Sequence, residues 1–239
     1  MSSKPRVLLT NSIHPVSQRK LEEFCDVILA PDTKVETLKM LIKGCDGLIV
    51  RSQLPDDIFE GVNNLKAVVR HGVGLDFIPV AAATRKKIPV ANLPGSNTRA
   101  VVEYCLAVIF YFRRRLDQIN EKLRHDGWNK TRPIADSLTE IETSTIGIVG
   151  VGAIGSKISK ISFDLGMDVI GFTRRPDSIP KGIKPVSKAE LFKQSDIVII
   201  SCSLNDETRG MVDKTMIDLM KPTAILINIA RGPIVDSAA

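Results

Sequence analysis

Three glycines at fixed spacing, Gly150, Gly152 and Gly155, are the residues of this sequence best suited to hold a charged ligand. In the run Gly150-Val151-Gly152-Ala153-Ile154-Gly155 the first glycine permits a tight turn and the second lets a pyrophosphate approach the backbone. The third lets a helix pack closely on a strand, and the unpaired N–H groups of that helix's first turn face the anion. Three glycines alone are weak evidence, and a tight turn without a ligand is the competing reading. Their setting makes them specific: the apolar run Thr145-Ile146-Gly147-Ile148-Val149 precedes them as a strand, and Lys157 to Leu165 follows at helical spacing. A dinucleotide is the expected ligand.

The choice of dinucleotide turns on the end of the next strand, Asp168 to Phe172. About 20 residues past the first glycine an Asp or Glu would accept the ribose 2′-hydroxyl of NAD. Here that place is taken by Thr173, followed by Arg174 and Arg175. Two cations and no anion would favour a 2′-phosphate, so NADPH is expected, with NADH possible. A solvated basic turn before Pro176 is the alternative, and Asp177 could neutralise one arginine.

The elements that position these residues repeat along the chain. Val7 to Thr10, Val27 to Leu29, Gly47 to Val50, Ala67 to Val69 and Val90 to Asn92 read as strands; Gln18 to Phe24, Val35 to Ile42 and Pro79 to Lys87 read as helices. This β-α-β series predicts a parallel sheet, whose ligands bind beyond the carboxyl ends of its strands. Arg51-Ser52 and Gly72-Val73-Gly74 lie at two such ends. The N–H groups of Val73 and Gly74 could hold a small carboxylate, with Arg51 supplying charge; a plain turn has equal weight.

The breaker cluster Leu93-Pro94-Gly95-Ser96-Asn97 marks a boundary, dividing residues 1–95 from 96–239. Ser96 or Asn97 can cap the next helix, whose apolar positions exceed one stripe, so that burial on more than one side is expected, with a partner subunit able to supply the second surface. Arg113-Arg114-Arg115 reads as a solvated last turn, and Trp128 falls in a polar connection running to Thr143. Past the glycine motif, a helix near Ser187 to Lys193, a strand at Asp196 to Ser201, a helix around Lys214 to Met220 and a strand at Ala224 to Asn228 continue the order of a doubly wound sheet, with a short third strand near Ile183 to Val186. A further helix is expected to begin at Val235-Asp236-Ser237, leaving that domain incomplete at Ala239.

Composition narrows the function classes. In 239 residues, 33 Lys+Arg against 27 Asp+Glu leave a net charge of +6, scattered rather than clustered, so nucleic acid is not implied. Cys25, Cys45, Cys105 and Cys202 stand far apart without a nearby histidine pair, which argues against a metal site and suggests small buried hydrophobes in a reducing compartment. No apolar run approaches a membrane span, and Met1-Ser2-Ser3-Lys4-Pro5 lacks a signal-peptide core, so a cytoplasmic protein is expected.

With Gly150 to Gly155, the loop Gly72-Val73-Gly74-Leu75-Asp76 and the run Asn228-Ile229-Ala230-Arg231-Gly232-Pro233-Ile234-Val235-Asp236 together, the whole chain resembles the D-isomer-specific 2-hydroxyacid dehydrogenases, which include glyoxylate and hydroxypyruvate reductases and phosphoglycerate dehydrogenases. The resemblance implies a flavodoxin-like substrate-binding domain and a Rossmann NAD(P)-binding domain. It places Arg231 as the arginine that binds and polarises a 2-oxo acid, Val73 and Gly74 as carboxylate-holding amides, and Ala153 and Ile154 at the pyrophosphate. Cys202, Ser203, Ile229 and Ala230 would line the adenosine and nicotinamide pocket. The helix after Asn97 would form a homodimer contact. The family's general acid is a histidine paired with a glutamate downstream of the arginine. The chain's histidines, His14, His71 and His125, lie elsewhere, so the 239 residues as given are expected to be inactive. His14 and His125 read as exposed, and His71 as a polar residue ending a strand. Thr143-Ser144-Thr145 replaces the family's Gly-Lys-Thr lead-in. A dinucleotide-responsive binding protein of related fold, such as a corepressor, is the alternative from another class.

Overall fold

Short β-branched runs alternate with amphipathic stretches from one end of the chain to the other, and each run becomes a parallel strand. The computed structural model describes residues 4–239 apart from the side chain of Ser178, so that Met1-Ser2-Ser3 of the N-terminal reading lies outside the described residues. Two compact units are present, Met1–Asn97 and Thr98–Ala239.

The first unit contains β1 (Arg6–Leu9), α1 (Pro15–Glu22), β2 (Asp26–Leu29), α2 (Val35–Ile42), β3 (Gly47–Val50), β4 (Ala67–Arg70), α3 (Val80–Arg85) and β5 (Val90–Ala91). The sheet runs β2-β1-β3-β4-β5 with every pairing parallel, the flavodoxin-like order. Leu8, Leu38, Ile42, Leu48, Val50 and Phe59 close its core. Helix α1 starts two or three residues before the periodicity suggests, because Pro15 occupies its first turn and the His14 side chain accepts a hydrogen bond from the Val16 N–H as its cap.

The second unit opens with α4 (Thr98–Arg113), α5 (Leu116–Asp126) and α6 (Trp128–Asp136). It continues through β6 (Thr145–Val149), α7 (Ala153–Asp164), β7 (Asp168–Phe172), β8 (Lys184–Pro185), α8 (Lys188–Gln194), β9 (Ile197–Ile200), α9 (Lys214–Asp218) and β10 (Ile225–Asn228). The order β10-β9-β6-β7-β8 is doubly wound, with β6 central. Ile146, Ile148, Ile197 and Ile199 face one cluster with α4 and α7, while Val149, Val198 and Ile200 face another with α8 and α9. Strands buried on both faces explain why these runs are continuous rather than alternating. A fully buried side chain of this size contributes about 1.5–3 kcal/mol. Helix α8 begins with a capping box between Ser187 and Glu190, which fixes where the chain leaves β8. Both sheets bear out the α/β architecture of two parallel sheets.

Three local expectations are corrected. The connection carrying Trp128 is not irregular: it forms α5 and α6, whose largely polar composition masks their helical periodicity. No helix starts at Val235; that residue forms a parallel bridge with Val212, and Asp236 donates its N–H to the Val212 carbonyl. The arginine triplet is not wholly solvated. Arg113 is half-buried and donates to Ser144 Oγ at 2.8 Å and Thr139 Oγ1 at 3.2 Å, tying the end of α4 to the lead-in of β6. Among the four free cysteines only Cys45 and Cys105 are buried; Cys25 and Cys202 are half-buried. Burial pushes the Cys105 thiol up to about 11.

Candidate dinucleotide cleft and anion loop

The glycine motif is held between β6, β7 and β9. Gly150 has φ +92° and donates its N–H to the Phe172 carbonyl at 2.8 Å; a Cβ there would lie 2.6 Å from the Cys202 backbone nitrogen. Gly155 is buried in the first turns of α7, and a Cβ there would come within 2.3 Å of the Gly150 carbonyl oxygen. That carbonyl also accepts the Ser201 hydroxyl at 2.6 Å, so strand, turn and helix lock together through backbone and one hydroxyl. Gly152, by contrast, faces open space, and no side chain caps the helix it begins. A phosphate can approach the first N–H groups of α7, where the helix dipole also favours negative charge. The loop therefore fits a pyrophosphate.

An open cleft of about 250 Å³ runs from this loop between the ends of β7 and β9. It brings together Gly150, Gly152, Thr173, Arg174, Arg175, Cys202 and Ser203 of the expected cofactor residues. Ala153 and Ile154 open α7 beside it, and Gly155 lies beneath. Ile229 and Ala230 follow β10 and do not line this cleft; Ile229 packs on the α4–α7 side of the sheet and Ala230 on the other. A larger hollow of about 410 Å³ between α7 and residues 180–183 lies away from the carboxyl ends of the strands and gathers no comparable set of polar groups.

The basic end of the cleft differs from the expectation of two cations and no anion. Arg174 Nη1 lies 3.1 Å from Glu207 Oε2, a residue 33 positions downstream, so one arginine already has a carboxylate partner. It comes from a different strand end and not from the neighbouring Asp177. Burial raises the Cys202 thiol above its ordinary value, against the opposing effects of its own backbone hydrogen bond and the Arg174 charge.

Arg231 stands at the start of a single 3₁₀ turn, Gly232–Ile234, just beyond β10. Asn228, which sequence reasoning passed over, sets this corner: its Oδ1 accepts the Ala230 N–H at 3.0 Å and its Nδ2 donates to the Arg231 carbonyl at 2.8 Å. The Arg231 guanidinium is half-buried and donates to the Ala230 carbonyl at 2.8 Å.

In the first unit, the loop after β4 is held by its carbonyls. The Gly72 carbonyl accepts the Leu93 N–H at 2.9 Å, and the Val73 carbonyl accepts Asn92 Nδ2 at 2.6 Å. Because a trans peptide sets N–H and C=O in opposite directions, the Val73 and Gly74 N–H groups turn away from the segment after β5. Arg70 fixes the loop from its other side, donating to the carbonyls of Gly74, Val50 and His71 and stacking 4.5 Å above the Phe77 ring. Neither Arg70 nor Asn92 was given a role from the sequence: Asn92 reaches the loop only through the fold, and Arg70, four residues before Gly74, belongs to no motif. Arg51 is exposed beyond β3; its side chain donates to the Ser12 carbonyl and its N–H to Thr10 Oγ1 at 2.9 Å. His71 is exposed, and partial desolvation with the charges of Arg51 and Arg70 lowers its pKa from the ordinary value. His14 and His125 are exposed.

Among the described residues no group of three or more His, Cys, Asp or Glu could hold a metal ion, and no helix is long and apolar enough to cross a membrane.

Comparison with known proteins gives this geometry its family. The model described as the NAD binding domain of D-isomer specific 2-hydroxyacid dehydrogenases matches residues 106–239. Over 98% of its length the chain is 32% identical to a D-3-phosphoglycerate dehydrogenase of Methanocaldococcus jannaschii, of which it spans 45%. Over 99% of its length it is 34% identical to a glyoxylate reductase of Aeropyrum pernix, of which it spans 74%. Among solved structures it is similar to an acyclic imino acid reductase in complex with NADPH and D-Arg, with a TM-score of 0.89 and 28% identity, covering 98% of this chain and 76% of that one. The dinucleotide cradle after β6 and these likenesses agree: the chain belongs to the D-isomer specific 2-hydroxyacid dehydrogenase family.

Proposed function

We propose that the chain serves NAD(P)H-dependent reduction of a short 2-oxo acid of the glyoxylate or hydroxypyruvate type to its D-2-hydroxy acid. The observation that supports this best is the uncapped N-terminus of α7 behind Gly152, open to a phosphate and beside a cleft that gathers most of the residues expected to bind a cofactor. A bound reduced nicotinamide supplies hydride to the oxo carbon, and a proton completes the alcohol at the oxygen. Arg231 pairs with the oxo acid and stabilises charge developing on its oxygen, an electrostatic contribution that a bidentate guanidinium makes well. In the first unit, the N–H groups of Val73 and Gly74 hold a carboxylate, with Arg51 supplying positive charge. Residues 1–95 act as the substrate-binding domain and 96–239 as the cofactor-binding domain.

Arg174 and Arg175 with neutral Thr173 favour NADPH, while NADH remains a substrate. The exposed aromatic residues Tyr104 and Phe112 on α4, 62% and 55% exposed, give the helix after Asn97 the surface for a second copy of this chain. Four free thiols suit a reducing, cytoplasmic setting. The test is direct: titrate NADPH, then assay glyoxylate, hydroxypyruvate and 3-phosphohydroxypyruvate in a protein carrying this sequence. Cofactor binding with reduction of either of the first two supports the reading; absence of any dinucleotide binding overturns it. Sedimentation of the same protein at micromolar concentration tests the dimer.

A further inference from the structure

We propose that Glu207 is a specificity-determining residue of the dinucleotide cleft: its carboxylate competes with a cofactor 2′-phosphate for Arg174 and thereby limits the preference for NADPH. The inference rests on the reading of the cleft as a dinucleotide site.

The ion pair joins the two strand ends that border the cleft. Arg174 follows β7, where the adenosine ribose of a dinucleotide ends; Glu207 belongs to the loop after β9. Their atoms lie 3.1 Å apart with both side chains exposed, 68% and 69%, so the carboxylate can leave without opening the core. Its backbone cannot move as easily. The Asn205 side chain accepts the N–H groups of Glu207 at 3.1 Å and Thr208 at 3.0 Å. Thr208, nearly buried, accepts the Asn205 N–H at 2.8 Å and donates to the Ser203 carbonyl at 2.7 Å. A hydrogen-bonded loop with an exposed carboxylate thus holds one negative charge against the arginine that a 2′-phosphate needs.

The consequence is specific to the phosphate. NADPH must displace Glu207 from Arg174 and then bind beside its charge, whereas NADH, which brings no 2′-phosphate, leaves the pair intact. Exposed ion pairs are worth about 0.2–1 kcal/mol, which corresponds to an effect of up to roughly fivefold.

The experiment uses the two fragments that differ only at this position, ADP-ribose and 2′-phospho-ADP-ribose, titrated calorimetrically into wild type, Glu207→Gln, Glu207→Asp and Arg174→Ala. Glu207→Gln should tighten 2′-phospho-ADP-ribose about two- to fivefold and leave ADP-ribose unchanged; Glu207→Asp, shorter by one methylene, should fall between. In an Arg174→Ala background the same change should have a smaller effect. ADP-ribose binding to wild type with an unchanged fragment ratio in Glu207→Gln overturns the role of Glu207 while leaving the cleft assignment standing. Failure of both fragments to bind wild type overturns the cleft assignment and this proposal together.

Discussion

The two parallel sheets present backbone N–H groups at loops after a strand, yet they hold those loops by different means. After β4, the carbonyls of Val73 and Gly74 are gripped by side chains, Asn92 and Arg70, beside one backbone bond from the Leu93 N–H to the Gly72 carbonyl. After β6, the loop is oriented by contact between backbones: Gly155 under the Gly150 carbonyl, Gly150 against Cys202, and the first turn of α7 behind them. A loop clamped by side chains is adjustable, because each clamp can be replaced alone. A loop fixed by glycine packing is not, since one added methyl group forces backbone to move. The first arrangement suits a site for a small acid, the second a site for a pyrophosphate.

The strongest way to break this contrast is Gly155→Ala. Its new Cβ would lie 2.3 Å from a carbonyl oxygen that cannot step aside, so a cost of about 1–3 kcal/mol in stability is expected, with NADPH binding weakened at least about tenfold. Urea melts and a cofactor titration check it; unchanged affinity would show that the loop does not hold phosphate. Arg231→Lys acts on turnover instead of on the fold of the loop. A lysine cannot reproduce the guanidinium fork, and in an active protein carrying this sequence kcat/KM for the oxo acid should fall roughly a hundredfold, as when a transition-state donor is lost. Wild-type kinetics in this variant would remove Arg231 from the site.

Arg70→Met sharpens the comparison from the other side. It keeps most of the stacking volume over Phe77 but gives up three carbonyl contacts, so the loop after β4 should loosen. The expected result is a KM for the oxo acid raised about tenfold, or roughly 1.4 kcal/mol, with the Kd of NADPH unchanged. Equal losses in both constants would mean that the two loops are not independent devices.

What the sequence showed and what it hid divide along the same line. The glycine spacing, the apolar runs of β6 and β9 and the β-α-β alternation are local patterns, and they were legible because buried parallel strands must be continuous and apolar. Arg174 was legible as a cation, but its partner was not, since Glu207 reaches it only when the ends of β7 and β9 flank that of β6. Arg70, Asn92 and Asn228 were given no role for a different reason: each is an ordinary polar residue whose work is the carbonyl it grips. Helices α5 and α6 stayed hidden because their few apolar residues stand among many charged and polar ones, although Leu116, Ile119 and Leu123 recur at helical spacing.

The smallest expected effect concerns pH, and it too separates the two loops. His71 immediately precedes Gly72, and burial, then the charges of Arg51 and Arg70, lower its pKa below the ordinary 6.5. A base with a lowered folded pKa binds its proton more readily when unfolded. Its contribution to stability is therefore complete above pH 6.5 and is lost as the pH falls below that value through the folded pKa. The effect is modest because the side chain is exposed. Thermal melts between pH 5 and 8 should show wild type losing stability relative to His71→Gln only on the acid side, with the two curves parallel above pH 7. A carboxylate bound at Val73 and Gly74 would counter the arginine charges, raise the His71 pKa and shrink that acid loss, whereas a dinucleotide bound to the second unit alone would leave it unchanged. An acid-side difference insensitive to added glyoxylate would place the carboxylate away from this loop.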